Sequence, residues 1–305
     1  MSIPVVFAAA LSPGIFWLWF FLRGRSYQPH PRRLIAGTFF LGMLSVVPAG
    51  ALEYALAPDL PDDIGVSVGA VAGLMFLVVG PVEELSKFLS VRLGAFRSLH
   101  FDEPLDGLVF SAAASLGFAS AENVLYAFQH GPEVMIVRGP LSTLAHVVFG
   151  MFWGAALAVR RMDRAEGAKA SSGETTAPWW GRSSPRQVVL LGLAGAALAH
   201  GTFNFMLATG FWWVSVLLVI VGAVRVARLF RWGQRVSPFR LRRNVPVLTC
   251  PHCAGRFRLG AKFCDRCGTR TDGALSEIEC GRCGSTNRPD ARFCTSCGDR
   301  FVELN

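Results

Sequence analysis

Long apolar segments separated by short polar ones recur along the first 230 residues of the chain. Seven of them have close to the length of a membrane span or more, at 5–22, 34–57, 65–95, 105–128, 133–159, 187–209 and 211–230. A helix needs about 20 mostly apolar residues to cross the hydrocarbon core of a bilayer. The pattern therefore predicts an all-α polytopic membrane helix bundle of seven spans.

The pattern changes after residue 249, where pairs of cysteines replace the apolar segments. Two Cys-x-x-Cys pairs separated by ten residues occur twice, at Cys250, Cys253, Cys264 and Cys267, and again at Cys280, Cys283, Cys294 and Cys297. Four thiolates satisfy tetrahedral zinc and leave no open position, so this spacing predicts a small double zinc-ribbon domain with four cysteines at each site. We expect two structural Zn²⁺ ions there rather than disulfides, since the tail is predicted on the reducing side of the membrane.

Composition and charge agree with a membrane protein. The 305 residues are 52% apolar and only 17% charged, and the net charge of +9 resides largely in alternate loops and in the segment after the last span. By the positive-inside rule, the N-terminus lies outside a bacterial-type cell membrane and the ribbons lie in the cytoplasm. Residues 250–305 contain nine Lys and Arg against seven Asp and Glu. This weak positive charge favours a protein partner for the ribbons over nucleic acid.

Six ionisable residues fall inside the predicted spans, where each costs several kcal/mol and indicates a functional site. They are Glu83, Glu84, Lys87, Glu122, His146 and His200. Glu83 and Lys87 are four residues apart and share a helix face, so they can form an ion pair. Glu84 should point about 100° away from Glu83. Gly80-Pro81 should loosen the helix just before these residues.

These residue types suit peptide-bond hydrolysis. A carboxylate can activate a water, and imidazole or amide N–H groups can stabilise the tetrahedral oxyanion. Asn204 lies one turn after His200 and shares its face. A catalytic metal held by Glu83, His146 and His200 is a less favoured alternative, since two histidines and one carboxylate can bind zinc. Another alternative is a non-catalytic polytopic receptor or transporter with a buried polar pathway and a zinc-ribbon docking domain. Glu53, near the end of the second span, is expected at the membrane interface.

The segments EELSK, DEPLDGLVFSAAASLGFASAENVLY and HGTFN, with a lone membrane histidine between the last two, resemble the PrsW family of intramembrane proteases. This family is related to CAAX prenyl and bacteriocin-processing membrane proteases. The resemblance covers about residues 30–230 and leaves out the ribbons. Lys87 stands where the prenyl-protease relatives have Arg, which argues against a strictly prenylated substrate.

The resemblance implies an intramembrane endopeptidase that cuts membrane-anchored proteins, such as an anti-sigma-factor-like regulator. Glu83 would be the water-activating base and Glu84 a second acid, while His146, His200 and Asn204 would polarise the carbonyl or its oxyanion. Lys87, Glu122 and Asn123 would support them. We expect a protease domain at 1–232, a basic linker at 233–248 and the ribbons at 249–305. Glu83, His146 and His200 should converge within roughly 10 Å, close enough to act through one water.

Overall fold

The computed structural model of the chain describes residues 2–23, 32–57, 67–98, 100–101, 103–166 and 184–237, and shorter segments between 247 and 301. Seven helical stretches in these residues are long and apolar enough to cross a membrane, so the predicted number of spans is confirmed. They run over Ile3–Leu22, Arg32–Leu56, Val68–Arg97, Pro104–His130, Ser142–Arg160, Arg186–Ala208 and Trp212–Arg235. Residues 167–183 of the predicted loop between the fifth and sixth spans, and most of the predicted linker, lie outside the described residues.

The described residues contain ten α-helices, of which all except α7 lie in the spans. Their bounds are α1 Ile3–Leu22, α2 Arg32–Leu44, α3 Val46–Leu56, α4 Val68–Gly73, α5 Gly80–Leu93, α6 Pro104–His130, α7 Met135–Arg138, α8 Ser142–Glu166, α9 Pro185–Ala208 and α10 Trp212–Val236. The second span is interrupted at Ser45, between α2 and α3. The fifth span begins at Ser142 rather than near 133, because a 3₁₀ turn at Pro132–Val134 and the short α7 precede it. Helix α10 continues to Val236, inside the range predicted as linker.

Helices α6 and α8 form the centre of the bundle. Of the 18 most apolar consecutive residues in each span, about 78% are buried in α6 and 89% in α8, compared with 17–39% in the other spans. Small residues allow this packing, since a Cβ on Gly107 of α6 would overlap the Gly154 carbonyl of α8. Close backbone approach through small residues is typical of helix association in membranes, where apolar side chains gain little from leaving lipid. These two helices are therefore the frame against which the others pack.

The third span changes its helical form just before the acidic motif. Leu74–Val79 is a π-helix between α4 and α5, and α5 begins with Gly80 and Pro81. Proline has no N–H and disturbs the preceding turn, which accounts for a local change of hydrogen bonding here. Gly80 also lies against α9, because a Cβ at this position would be 3.2 Å from the Gly201 nitrogen and closer still to the Ala197 carbonyl. This contact brings the start of α5 beside the middle of α9.

The cysteine-rich segment forms a separate compact unit with a four-stranded antiparallel sheet. The strands are β1 Val247–Thr249, β2 Arg256–Arg258, β3 Ile278–Glu279 and β4 Thr286–Asn287, in the order β2-β1-β3-β4. Glycine follows the second cysteine of three Cys-x-x-Cys pairs, and Gly268, Gly284 and Gly298 all have φ between 70° and 76°. Glycine adopts this left-handed conformation without steric cost, so it closes the tight turn around each pair.

Candidate functional site

Lys87 lies at the centre of a polar cluster inside the helix bundle and is fully buried. Its Nζ donates to Glu83 Oε2 at 3.1 Å and to Glu84 Oε1 at 2.9 Å, and lies 2.9 Å from His146 Nδ1. An ammonium has three donors, and these three acceptors use all of them. The Phe118 ring lies 4.3 Å from the same nitrogen, so a cation–π contact covers it from another side.

Both carboxylate oxygens of Glu84 are occupied. Oε1 accepts from Lys87 and lies 3.0 Å from His200 Nδ1, while Oε2 accepts from the Trp153 indole at 3.0 Å. His200 Nδ1 must carry its proton to donate to this carboxylate, which leaves Nε2 as the other functional atom of the ring. Glu84 therefore fixes the orientation of His200 and is itself fully buried.

Glu83 differs from its neighbour in having an unoccupied oxygen. Its Oε2 contacts Lys87 and lies 3.7 Å from His200 Nε2, while no residue in the described part of the chain donates to Oε1. The residue retains 6% of its surface, compared with none for Glu84. A carboxylate oxygen without a donor, beside an imidazole nitrogen, offers acceptors to a water.

His146 joins this cluster to a second ion pair on α6. Because Nδ1 accepts from Lys87, the neutral ring carries its proton on Nε2, which lies 3.0 Å from Glu122 Oε2. The same Glu122 oxygen lies 3.1 Å from Arg138 Nη2. Neither contact has the geometry of a hydrogen bond, so Arg138 and Glu122 form an ion pair and the neutral His146 ring lies close to the same carboxylate oxygen. Three carboxylates, on Glu83, Glu84 and Glu122, thus surround two cations.

Asn123, Asn204 and Glu53 lie around the cluster in different ways. Asn123 donates to Thr143 at 3.0 Å and accepts from Arg138 at 3.0 Å, so it supports the ion pair without contacting the glutamates of α5. Asn204 is half-buried and makes no hydrogen bond to another described residue. Glu53 has a buried Oε1 with no partner among the described residues. The residue as a whole is half-buried.

The predicted convergence is confirmed, since ligand atoms of Glu83, His146 and His200 lie within 4.8 Å of one another. The expected ion pair of Glu83 with Lys87 is present, although the expected separation of Glu84 from this face is wrong, because Lys87 and His200 reach both carboxylates. Sequence reasoning missed three partners. They are Trp153, which binds Glu84, Phe149, which stacks on His200 at 5.2 Å between centroids, and Arg138. Within long apolar segments, Trp153 and Phe149 resemble ordinary core residues.

The same residues fit a catalytic zinc by donor type and spacing. Tetrahedral zinc with N and O ligands at about 2.0–2.1 Å separates its ligand atoms by about 3.4 Å. Glu83 Oε2 lies 3.7 Å from His200 Nε2 and 3.9 Å from His146 Nδ1, so small shifts would complete the set. The Lys87 ammonium lies against two of these atoms, and it would have to move away from a divalent ion because like charges repel.

The two ribbon sites are closed sets of four cysteines. Their sulfurs lie 3.6 Å apart in the pairs Cys250–Cys267 and Cys253–Cys264, and 3.7 Å and 3.5 Å apart in Cys280–Cys297 and Cys283–Cys294. Zn–S bonds of about 2.3 Å require edges of about 3.8 Å, whereas a disulfide is about 2.05 Å long. These separations support structural zinc.

Hydroxyl groups next to the ribbon cysteines favour the thiolate form that zinc requires. The Thr269 hydroxyl, 3.1 Å from the sulfur, lowers the pKa of Cys267 to about 6. The Ser285 hydroxyl, 3.3 Å from the sulfur, similarly lowers the pKa of Cys283. Each ribbon therefore has one thiol prepared for metal binding by the same local device.

Comparison with known proteins agrees with both parts of the chain. Residues 30–228 match the family described as "PrsW family intramembrane metalloprotease", and residues 250–298 match "Double zinc ribbon". "Protease PrsW" of Bacillus subtilis (strain 168) is 30% identical over 70% of this chain and 87% of its own length. "Protease PrsW" of Geobacillus kaustophilus (strain HTA426) is 34% identical over 48% of this chain and 63% of its own length. No solved structure matches the chain.

Proposed function

Because this chain belongs to the PrsW family of intramembrane proteases, and is therefore a membrane peptidase, we propose that Glu83 is the general base of its hydrolytic reaction. The observation that carries this proposal is the difference between the two adjacent glutamates. Glu84 has both oxygens bound to Lys87, His200 and Trp153, whereas Glu83 keeps one oxygen free and lies 3.7 Å from His200 Nε2. A base must have a lone pair within reach of the water that it deprotonates.

The remaining polar residues take roles that follow from their contacts. Glu83 Oε1 removes a proton from water, and the water oxygen attacks the scissile carbonyl. Glu83 passes this proton to His200 Nε2, which lies 3.7 Å from Glu83 Oε2, and His200, oriented through Nδ1 by Glu84, transfers it to the leaving amine. Lys87 balances the charge of both glutamates, and His146 holds Lys87 and Glu122 together. Asn204, one turn beyond His200, is proposed as an amide donor to the carbonyl or its oxyanion.

A zinc ion, if bound, would be held by Glu83, His146 and His200, where it would polarise the carbonyl and activate the attacking water. Glu84 would then position His200, and Lys87 would have moved away from the ion. We expect structural zinc in the ribbons in either case. The substrate is proposed to be a membrane-anchored protein, with an anti-sigma-factor-like regulator as the specific class, and the ribbons to dock a protein partner. We also propose that the N-terminus lies outside the cell and the ribbons lie in the cytoplasm.

Glu83→Gln tests the base directly, because the amide keeps the shape of the side chain and loses its basicity. Membrane fractions from cells producing the wild type or the variant are compared for a single-span protein that is released only by the wild type. Cleavage of that protein by purified full-length enzyme should fall by about 10²–10⁴-fold, the range for loss of a general base.

Glu133→Gln is the matched control, since Glu133 is an exposed glutamate outside the long helices. It should cleave at the wild-type rate. Circular dichroism and the melting temperature show whether Glu83→Gln retains the fold. A folded Glu83→Gln protein that cleaves the substrate within a few-fold of the wild-type rate contradicts the proposed role.

A further inference from the structure

A groove of about 770 Å³ opens between α8, α9 and α10. Its apolar part is lined by Val148 and Phe152 of α8 and by Leu218 and Val221 of α10. Lining residues of α10 extend from Leu218 to Arg235, which is roughly 26 Å of helix at about 1.5 Å per residue. One leaflet contributes about 15 Å of hydrocarbon, so the groove has the length of an acyl chain with its headgroup.

One end of the groove is strongly basic. Arg225, Arg228, Arg231 and Arg235 line it, and the lining contains no acidic residue. Arg225, Arg228 and Arg231 are exposed and form no ion pair with the other described residues. Helix α10 itself contains no Asp or Glu. An apolar channel that ends in these three arginines, which have no acidic partner among the described residues, is complementary to a ligand with a hydrocarbon chain and an anionic headgroup.

The inner wall of the groove is also a wall of the polar cluster. Phe149 lines the groove, and its ring stacks on His200 with 5.2 Å between centroids and 27° between planes. Ala199, which precedes His200 on α9, lines the groove as well. A molecule that fills the groove would therefore press on the side chain that packs against His200.

We propose that this groove is a binding site for an anionic phospholipid. The phosphate binds Arg225, Arg228 and Arg231, and an acyl chain lies along Val148, Phe152, Leu218 and Val221. Size favours a lipid over an acidic helical segment of a protein. An α-helix about 10 Å across would fill 770 Å³ with fewer than two turns. The site is distinct from the hydrolytic residues and does not depend on their roles.

Native mass spectrometry of the full-length protein in a neutral detergent measures the binding. Phosphatidylglycerol and phosphatidylcholine with identical acyl chains are titrated separately. The wild type should bind phosphatidylglycerol more tightly, and Arg225→Gln/Arg228→Gln should weaken that binding about 25-fold, at roughly fivefold for each arginine. Arg32→Gln/Arg33→Gln removes the same charge from exposed positions of α2, so it should change affinity less than twofold.

A second pair of variants tests the apolar part. Val221 and Val224 of α10 are 48% and 47% exposed, but only Val221 lines the groove. Val221→Trp should displace the acyl chain and weaken phosphatidylglycerol binding at least tenfold, whereas Val224→Trp should not. Both substitutions are on the surface of one helix, so a difference between them reports the groove rather than folding.

Several results overturn the proposal. One is that the wild type binds phosphatidylglycerol and phosphatidylcholine equally tightly. Another is that Arg225→Gln/Arg228→Gln and Arg32→Gln/Arg33→Gln weaken phosphatidylglycerol binding equally, which would indicate an effect of general surface charge. Tight binding of glycerol phosphate without acyl chains would show that the arginines bind a free anion. A further contrary result is unchanged lipid binding in Arg225→Gln/Arg228→Gln with slower cleavage of substrates that carry acidic residues beside their membrane span. That result would assign the arginines to a protein segment.

Discussion

Replacing Lys87 with Met should strongly destabilise the helix bundle. Methionine has a similar length and flexibility, so the change chiefly removes the charge. The Lys87 side chain is wholly inaccessible and is bound to Glu83, Glu84 and His146, so solvent does not screen its ion pairs. Without it, two adjacent buried carboxylates have lost their shared counter-ion. The partial compensation is protonation of one of them.

The expected size follows from measurements on other buried pairs. Removing one partner of a buried ion pair costs about 3–5 kcal/mol in the free energy of unfolding. For a unit of 150–250 residues, about 1 kcal/mol lowers the melting temperature by about 2–4 °C. The melting temperature of Lys87→Met should therefore fall by roughly 6–20 °C. Thermal unfolding of the full-length protein in detergent, followed by tryptophan fluorescence at saturating zinc, measures this change.

Two further variants make the result specific. Glu84→Gln/Lys87→Met removes one of the two uncompensated charges, so it should recover about half of the lost melting temperature. Arg33→Met removes an exposed cation of α2 and should change the melting temperature by about 1 °C or less. A Lys87→Met protein that melts within about 2 °C of the wild type refutes the view that Lys87 is the buried counter-ion. So does a double variant less stable than Lys87→Met.

Three other predictions concern the packing of Gly80, the hydrogen bond of Trp153 and the number of bound zinc ions. Gly80→Ala places a methyl group against the Ala197 carbonyl, so the cleavage rate should fall at least tenfold and the free energy of unfolding by about 1–3 kcal/mol. Gly37→Ala is the control: a Cβ at Gly37 meets open space, so the cleavage rate should not change. Trp153→Phe loses a hydrogen bond to the Glu84 carboxylate, so the free energy of unfolding, measured by thermal unfolding, should fall by about 1.5–3 kcal/mol or more. Trp17→Phe is the control, because it loses a hydrogen bond to the neutral Gly139 carbonyl and should lower the free energy of unfolding by only about 0.5–1.5 kcal/mol. Metal analysis of the full-length protein should find two zinc ions per chain, both removed by a strong chelator that leaves the helix content unchanged. A third ion that is lost in His200→Ala would instead assign zinc to the membrane site.

The spans and ribbons could be predicted because each depends on local sequence alone. Seven apolar segments of sufficient length have no favourable arrangement other than membrane helices, and paired cysteines at this spacing have few uses besides zinc. The meeting of Glu83, His146 and His200 was also predictable, since isolated charges in lipid are costly and tend to gather. The family resemblance added the order of the motifs.

The details of the site depended on tertiary contacts that no local pattern records. Hydropathy does not show which turn of α5 faces which turn of α9. In the structure Gly80 packs against Ala197 and Gly201, and this contact brings Glu83 beside His200. Trp153 reads as one more apolar residue until its indole is found on Glu84. The half-buried position of Glu53 is also not evident from the sequence, because the break at Ser45, three residues before Pro48, does not reveal which side of α3 packs against the bundle.

The different roles proposed for Glu83 and Glu84 follow from counting donors. Lys87 provides three N–H groups, and His200 and Trp153 provide one each, so five donors meet the two carboxylates and His146. Lys87 donates to Glu83 Oε2, His146 Nδ1 and Glu84 Oε1, and His200 donates to the same Glu84 oxygen. The Trp153 indole donates to Glu84 Oε2. Only Oε1 of Glu83 is left without a donor from the described residues. Two neighbouring residues of the same type thus differ because rigid, buried partners saturate one of them, and the other keeps the lone pair that a reacting water needs.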